Sequence, residues 1–150
     1  YRNMLLISNG TEGVTAIRVT KEGGEWNAKP VWKNLEVTMY MSSPVLDGDY
    51  LYGMSSKNKG HFFCLNAADG KVLWTTEGRE GDNASLLHSK DVLFILTDDA
   101  NLTVAKKSVK GFEPVAKYSV ANSPTWAQPT MWGKYVLIKD DSTIALWSLE

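Results

Sequence analysis

An all-β fold is predicted by three features of the sequence. Short apolar runs rich in Val, Ile, Leu, Phe and Tyr recur along the chain, each too short for a helix. Gly, Asp and Asn turn signals punctuate them at close intervals. The same run-and-turn pattern also returns at a spacing of about 40 to 50 residues, and a period of that size built only from strands points to the radial blades of a β-propeller.

The clearest copy runs from Ser43 to Trp74. Pro44-Val45-Leu46 is a first strand and Asp47-Gly48-Asp49 a tight turn. Tyr50-Leu51-Tyr52-Gly53-Met54 is a second strand, and residues 55–60 (SSKNKG) form a polar loop. Phe62-Phe63-Cys64-Leu65 is a third strand. Asp69-Gly70 reads as a type I′ hairpin turn with positive φ at both central positions, and Lys71-Val72-Leu73-Trp74 is the fourth strand. Before this copy, Met4-Leu5-Leu6-Ile7 and Thr15-Ala16-Ile17 are second and third strands, and residues 20–29 extend a hairpin towards Trp32. After it come Ser85-Leu86-Leu87, Val92 to Leu96, Val104-Ala105-Lys106, the hairpin of residues 107–113 and a strand ending at Tyr118. The last copy holds Gln128 to Met131, Tyr135-Val136-Leu137-Ile138 and Ile144-Ala145-Leu146. The third-strand centres Ala16, Cys64, Ala105 and Ala145 are 48, 41 and 40 positions apart. No segment carries an apolar helical stripe.

The strand count is three, four, four and three, about three and a half blades, with segments at 1–34, 35–77, 78–120 and 121–150. The first lacks an innermost strand and the last an outermost one, so these gaps cannot fill one another. Propellers close so that few edges stay exposed. The expectation is therefore an open ring, the C-terminal portion of a larger one, whose remaining blades complete it and whose two open flanks self-associate when the piece is isolated. One 150-residue domain, 43% hydrophobic and 22% charged, is of ordinary globular composition. A net charge of −1 argues against a general nucleic-acid binder, and no apolar run approaches a membrane span of ~20 residues. The one cysteine, Cys64, reads as a buried small hydrophobe.

The order SSPV, DGDYLY, a small residue in the third strand and then DGKVLW resembles the PQQ-like propeller repeat, whose tryptophan-docking signature is roughly A-L-D-x-x-T-G-x-x-x-W. Cys64-Leu65-Asn66-Ala67-Ala68-Asp69-Gly70-Lys71-Val72-Leu73-Trp74 follows it with Cys for Ala, Asn for Asp and Asp for Thr. The third copy departs further, with Ala105-Lys106-Lys107 and Tyr118 in place of the tryptophan; in the fourth, Trp147 stands where the family has Asp. The resemblance is to BamB-like repeat proteins, and the ending TWAQP…VLIKDDSTIALWSLE is similar to their closing stretch. It implies structural docking roles for Trp32, Trp74, Tyr118 and Gly70, and an exported protein of the periplasm or cell envelope. It also implies a protein-binding or scaffolding module more readily than an enzyme. Quinoprotein dehydrogenases of this fold carry adjacent cysteines, which a single Cys64 cannot supply, so neither pyrroloquinoline quinone nor calcium is expected. Two alternatives stay open: part of a quinoprotein oxidoreductase whose site lies in other blades, and a binder of small ligands or carbohydrates.

Strand direction places the blade-to-blade loops and the second-to-third-strand loops on one rim. Longer loops carry function more often, which makes Tyr40, Arg79, Asp82, Asp98, Asp99, Trp126, Asp140 and Asp141 the candidate binding residues. The pairs Asp98-Asp99 and Asp140-Asp141 fall in equivalent loops. They suit oxygen ligation of calcium, but turn residues bonding their own backbone account for them better. His61 and His88, without partners at metal-ligand spacing, read as surface or internally bonded histidines. Lys106, Lys107 and Lys110 read as a solvated hairpin. Sequons at Asn9, Asn83 and Asn101 are matches that arise by chance.

Overall fold

Side chains that alternate along an extended backbone are buried on both faces when both faces of the sheet are covered, and in this chain neighbouring sheets supply the cover. The computed structural model describes residues 1–149. Sheet 1 holds β1 (Met4–Ser8), β2 (Val14–Glu22) and β3 (Glu25–Asn34). Sheet 2 holds β4 (Val45–Asp47), β5 (Tyr50–Ser55), β6 (His61–Asn66) and β7 (Val72–Thr75). Sheet 3 holds β8 (Ala84–His88), β9 (Val92–Thr97), β10 (Asn101–Lys106) and β11 (Glu113–Ser119), and sheet 4 holds β12 (Thr130–Trp132), β13 (Tyr135–Lys139) and β14 (Ile144–Ser148). Every pairing within the sheets is antiparallel between sequence neighbours. The fold is all-β, a partial propeller. Helical structure among the described residues is limited to one 3₁₀ turn, Lys57–Lys59.

Three apolar layers lie between successive sheets. Leu51, Phe63 and Leu65 of sheet 2 meet Val14, Leu6 and Trp32 of sheet 1. Tyr52, Met54, Phe62 and Cys64, from the other face of sheet 2, meet Ala84, Leu86, Leu93 and Ile95 of sheet 3. Phe94, Leu96 and Leu102 then meet Val136 and Ile138 of sheet 4. Cys64 is fully buried and free, in accord with its reading as a small hydrophobe.

Aromatic side chains on the outer strands link the sheets. Trp32 Nε1 donates to the Ala67 carbonyl in the β6–β7 loop at 3.2 Å, and its ring lies so close over Gly70 that a Cβ there would stand 2.4 Å from the indole. Trp74 Nε1 donates to the Ser108 carbonyl in the β10–β11 loop at 2.9 Å, with the Phe112 ring 6.0 Å away. Trp147 repeats the link in the opposite sense, donating from sheet 4 to the Val120 carbonyl at 3.2 Å.

Local geometry departs from the sequence reading in four places. Asp69-Gly70 is not a type I′ turn, because Gly70 (φ 75°) has positive φ and Asp69 does not. Side-chain oxygens of Asn66 and Asp69 accept from the Ala68 and Lys71 N–H groups, favouring a longer Asx-braced loop. Positive φ at both central positions occurs instead at Gly23 (60°) and Gly24 (94°), where β2 and β3 pair right up to the turn. In sheet 3 the bulge falls between Val104 and Ala105, so Val104 matches Ala16 and Cys64, and Ala116, not Tyr118, stands opposite it where Trp32 and Trp74 stand. Tyr118 is 54% exposed. Lys107 is not a solvated hairpin residue: its ammonium pairs with Asp47 of sheet 2 at 2.8 Å and its side chain is 14% exposed, because the hairpin folds back over the sheet 2–sheet 3 seam.

Candidate functional site

The rim shared by the blade-to-blade loops and the second-to-third-strand loops is knit by hydrogen bonds between neighbouring loops. Buried Ser55 accepts at Oγ from the Thr38 N–H at 3.1 Å, and the Ser56 N–H donates to the Thr38 carbonyl at 2.8 Å. Ser8 Oγ accepts from the Met39 N–H at 2.9 Å. Asp98 Oδ1 accepts from the Asp82 and Asn83 N–H groups at 3.1 and 2.9 Å, and the Asp98 carbonyl accepts from Thr125 at 3.1 Å. The Asp141 N–H donates to Ser123 Oγ at 3.2 Å.

Most of the acidic candidates are thus engaged by the backbone. Asp140, almost wholly buried, accepts from the Ser142 N–H (3.0 Å), the Thr143 N–H (2.7 Å) and the Thr143 hydroxyl (2.9 Å). Those donors, the Thr143 N–H foremost, hold its carboxyl far below the usual range. At Asp99 partial burial pushes the pKa up, but hydrogen bonds from the Thr97 hydroxyl (2.5 Å) and Asn101 outweigh it, and the net shift is down. Arg79 and Asp82 pair at 2.7 Å in an exposed three-residue step, a geometry worth little. Asp141 projects into solvent. The two Asp pairs do not come together with a third ligand: among the described residues no cluster of three His, Cys, Asp or Glu side chains could hold a metal ion. His61 is buried, with Nδ1 3.0 Å from the Lys57 carbonyl, and His88 Nδ1 lies 3.7 Å from Asp47.

Beside the exposed Arg79, Asp82 and Asp141, the rim leaves apolar surface open. Tyr40 is 70% exposed with its ring against Gly10, Met41 is 59% exposed and Trp126 is 53% exposed. Met41 and Trp126 flank one small niche with Asn83, Ala84, Ser85 and Thr125. The sequence reading missed Met41. It also missed Asn34 and Asn83 as clamps, although an Asn in a connector is an Asx-turn signal. Asn34 donates from Nδ2 to the Gly70 carbonyl at 2.9 Å and accepts from the Glu36 and Val37 N–H groups, while Asn83 Oδ1 accepts from Met41 at 3.2 Å.

Residues 1–76, just over half of the chain, match the PQQ-like repeat family model described as outer membrane protein assembly factor BamB. The chain belongs to this BamB family. Among solved structures it is similar to BamB from Moraxella catarrhalis, with a TM-score of 0.64 at 16% identity over 95% of this chain and 48% of that one. The computationally designed Ika4 protein gives a TM-score of 0.66 at 12% identity over 100% of this chain and 88% of that one. The designed Ika8 protein gives 0.55 at 8% identity over 97% and 55%. At these identities the likeness is one of fold. The BamB-family chain spans about half the length of the Moraxella BamB, and no curated protein matches it.

Proposed function

We propose that this chain is a non-catalytic propeller module that binds another protein through the rim carrying Tyr40, Met41 and Trp126, and that it works in the bacterial cell envelope. One observation carries the reading. Many polar groups of that rim bond one another, whereas four large apolar or aromatic side chains, Leu35, Tyr40, Met41 and Trp126, stand exposed on it. Aromatic residues and Met are the types enriched in protein-binding patches. The family description, an assembly factor for outer membrane proteins, supports both a scaffolding role and an envelope address. Pyrroloquinoline quinone and calcium have no part in this function. Oδ1 of Asp98 and Oδ1 of Asp140 already accept from loop N–H groups, which disfavours calcium there, and titration calorimetry with the quinone and calcium should give no binding heat.

The test is site-specific photo-crosslinking in the host cell from positions 40 and 126, compared with Asp49 and Lys134 in the tight turns of the opposite rim. One protein crosslinking from the first pair and not from the second is the expected result. Equal labelling from both rims, or none from positions 40 and 126, overturns the assignment.

A further inference from the structure

Met41 and Trp126 stand on different connectors, residues 35–44 ahead of sheet 2 and 120–129 ahead of sheet 4, yet they flank one niche. A chain of hydrogen bonds through the start of sheet 3 joins them. Buried Asn83 accepts at Oδ1 from the Met41 N–H at 3.2 Å, and the next residue, Ala84, donates its N–H to Ser42 Oγ at 3.0 Å. The main chains then meet directly: the Ser43 N–H donates to the Ala84 carbonyl at 2.9 Å and the Leu86 N–H to the Ser43 carbonyl at 3.0 Å. Asp98 continues the chain on the other side. Its Oδ1 accepts from the Asn83 N–H at 2.9 Å, its N–H donates to the Asn83 carbonyl at 3.0 Å, and its carbonyl accepts from the Thr125 N–H at 3.1 Å. The buried Thr125 hydroxyl donates to the Thr97 carbonyl at 2.8 Å, which fixes the residue just before Trp126.

We infer that Asn83 and Asp98 are positioning residues, which hold Met41 and Trp126 as a preformed pair of anchors for an apolar groove on the partner protein. The inference rests on the rim reading above and adds to it which residues set the anchors and which side of the interface is concave. The niche between the two side chains measures only about 10 Å³, the room that one water needs, so it cannot receive a side chain from the partner. Both anchors stand out from it, exposed over more than half their surface. The protruding groups thus belong to this chain, and the partner supplies the pocket. Loops already braced lose little freedom when the partner arrives, and an aromatic anchor in a pocket is the kind of contact that dominates an interface.

Photo-crosslinking in the host cell from position 40 tests this with both anchors and both positioning residues in place. The yield should fall by about tenfold in Asn83→Ala and in Asp98→Ala. Asp98→Asn, which keeps an acceptor oxygen for the N–H groups of residues 82 and 83, should restore it. Trp126→Ala should lower the yield by about tenfold as well. In the purified chain, hydrogen exchange at the Met41 amide should quicken by at least about tenfold in Asn83→Ala while exchange in β5 and β9 stays as it was, which separates a lost brace from a lost fold. The two Asp98 variants carry the test by themselves should Asn83→Ala unfold. Full yield from Asn83→Ala with fast exchange at Met41 overturns the inference and leaves the rim reading standing, as does equal loss in Asp98→Asn and Asp98→Ala. Full yield from Trp126→Ala overturns the assignment of the anchors. No crosslink from position 40 in the wild type overturns the rim reading itself, and the inference with it.

Discussion

At Gly70 one hydrogen atom decides whether two sheets can meet. Its φ of 75° is strained for any side chain, and a Cβ would stand 2.4 Å from the Trp32 ring. Gly70→Ala therefore combines a left-handed backbone cost with overpacking, and chemical denaturation should show a loss of about 2–4 kcal/mol. Adding Trp32→Ala should make the glycine substitution cheaper, because only the backbone cost remains. That non-additivity is the signature of direct contact. Cys64 supplies a second residue-scale expectation. Burial pushes its thiol from 9.0 up to about 11, and a hydrogen bond with Tyr52 only partly offsets this. The folded chain holds the neutral thiol where the unfolded chain would release the proton, so this contribution is complete below pH 9 and fades as pH rises towards 11. Wild type should lose up to roughly 2 kcal/mol more than Cys64→Ala across that window. Parallel pH–stability curves for the two proteins would contradict it.

At the scale of the element, outer-strand tryptophans divide by what they touch. Trp74 is half-buried, bonded to the Ser108 carbonyl and packed against Phe112, whereas Trp26 on the outer reach of β3 is 71% exposed. Trp74→Ala should cost about 2–4 kcal/mol and Trp26→Ala less than about 0.5, measured by urea unfolding. The strands themselves were legible, since alternation and turn residues are local signals, and each run read as a strand overlaps one, although Gln128 and Pro129 lie ahead of β12. The docking register of sheet 3 was not. The same bulge follows Ala16 and Cys64, so its place after Val104 makes Val104 the match, whereas the small residue that the sequence pattern picks out is the next one, Ala105. Nor was the fate of the candidate carboxylates, because the donors that hold Asp98 belong to residues 82 and 83 on another loop. The turn-residue reading of Asp140 was legible for the opposite reason: its donors lie two and three positions along the chain.

At the scale of the whole molecule, each seam joins one face of a sheet to the opposite face of the next, and two such faces remain open. On sheet 1, Leu5 and Ile7 point away from the layer that Leu6 and Val14 share with sheet 2, and both are exposed. On sheet 4, Leu137, Ile144 and Leu146 point away from the layer holding Val136 and Ile138, and all three are exposed. The first face is of the kind that follows a sheet and the second of the kind that precedes one, so they complement each other and not themselves. Contact between them in two copies is heterologous, and it builds rings or open chains where a self-complementary patch would stop at a dimer. The chain at rising concentration should therefore pass beyond dimer in light scattering coupled to size exclusion. Leu5→Glu or Leu146→Lys, each on one open face, should return it to monomer without lowering its melting temperature, because neither side chain belongs to a packed layer. Association that survives both substitutions would place the contact elsewhere, at the strand edges that sheet stacking leaves untouched.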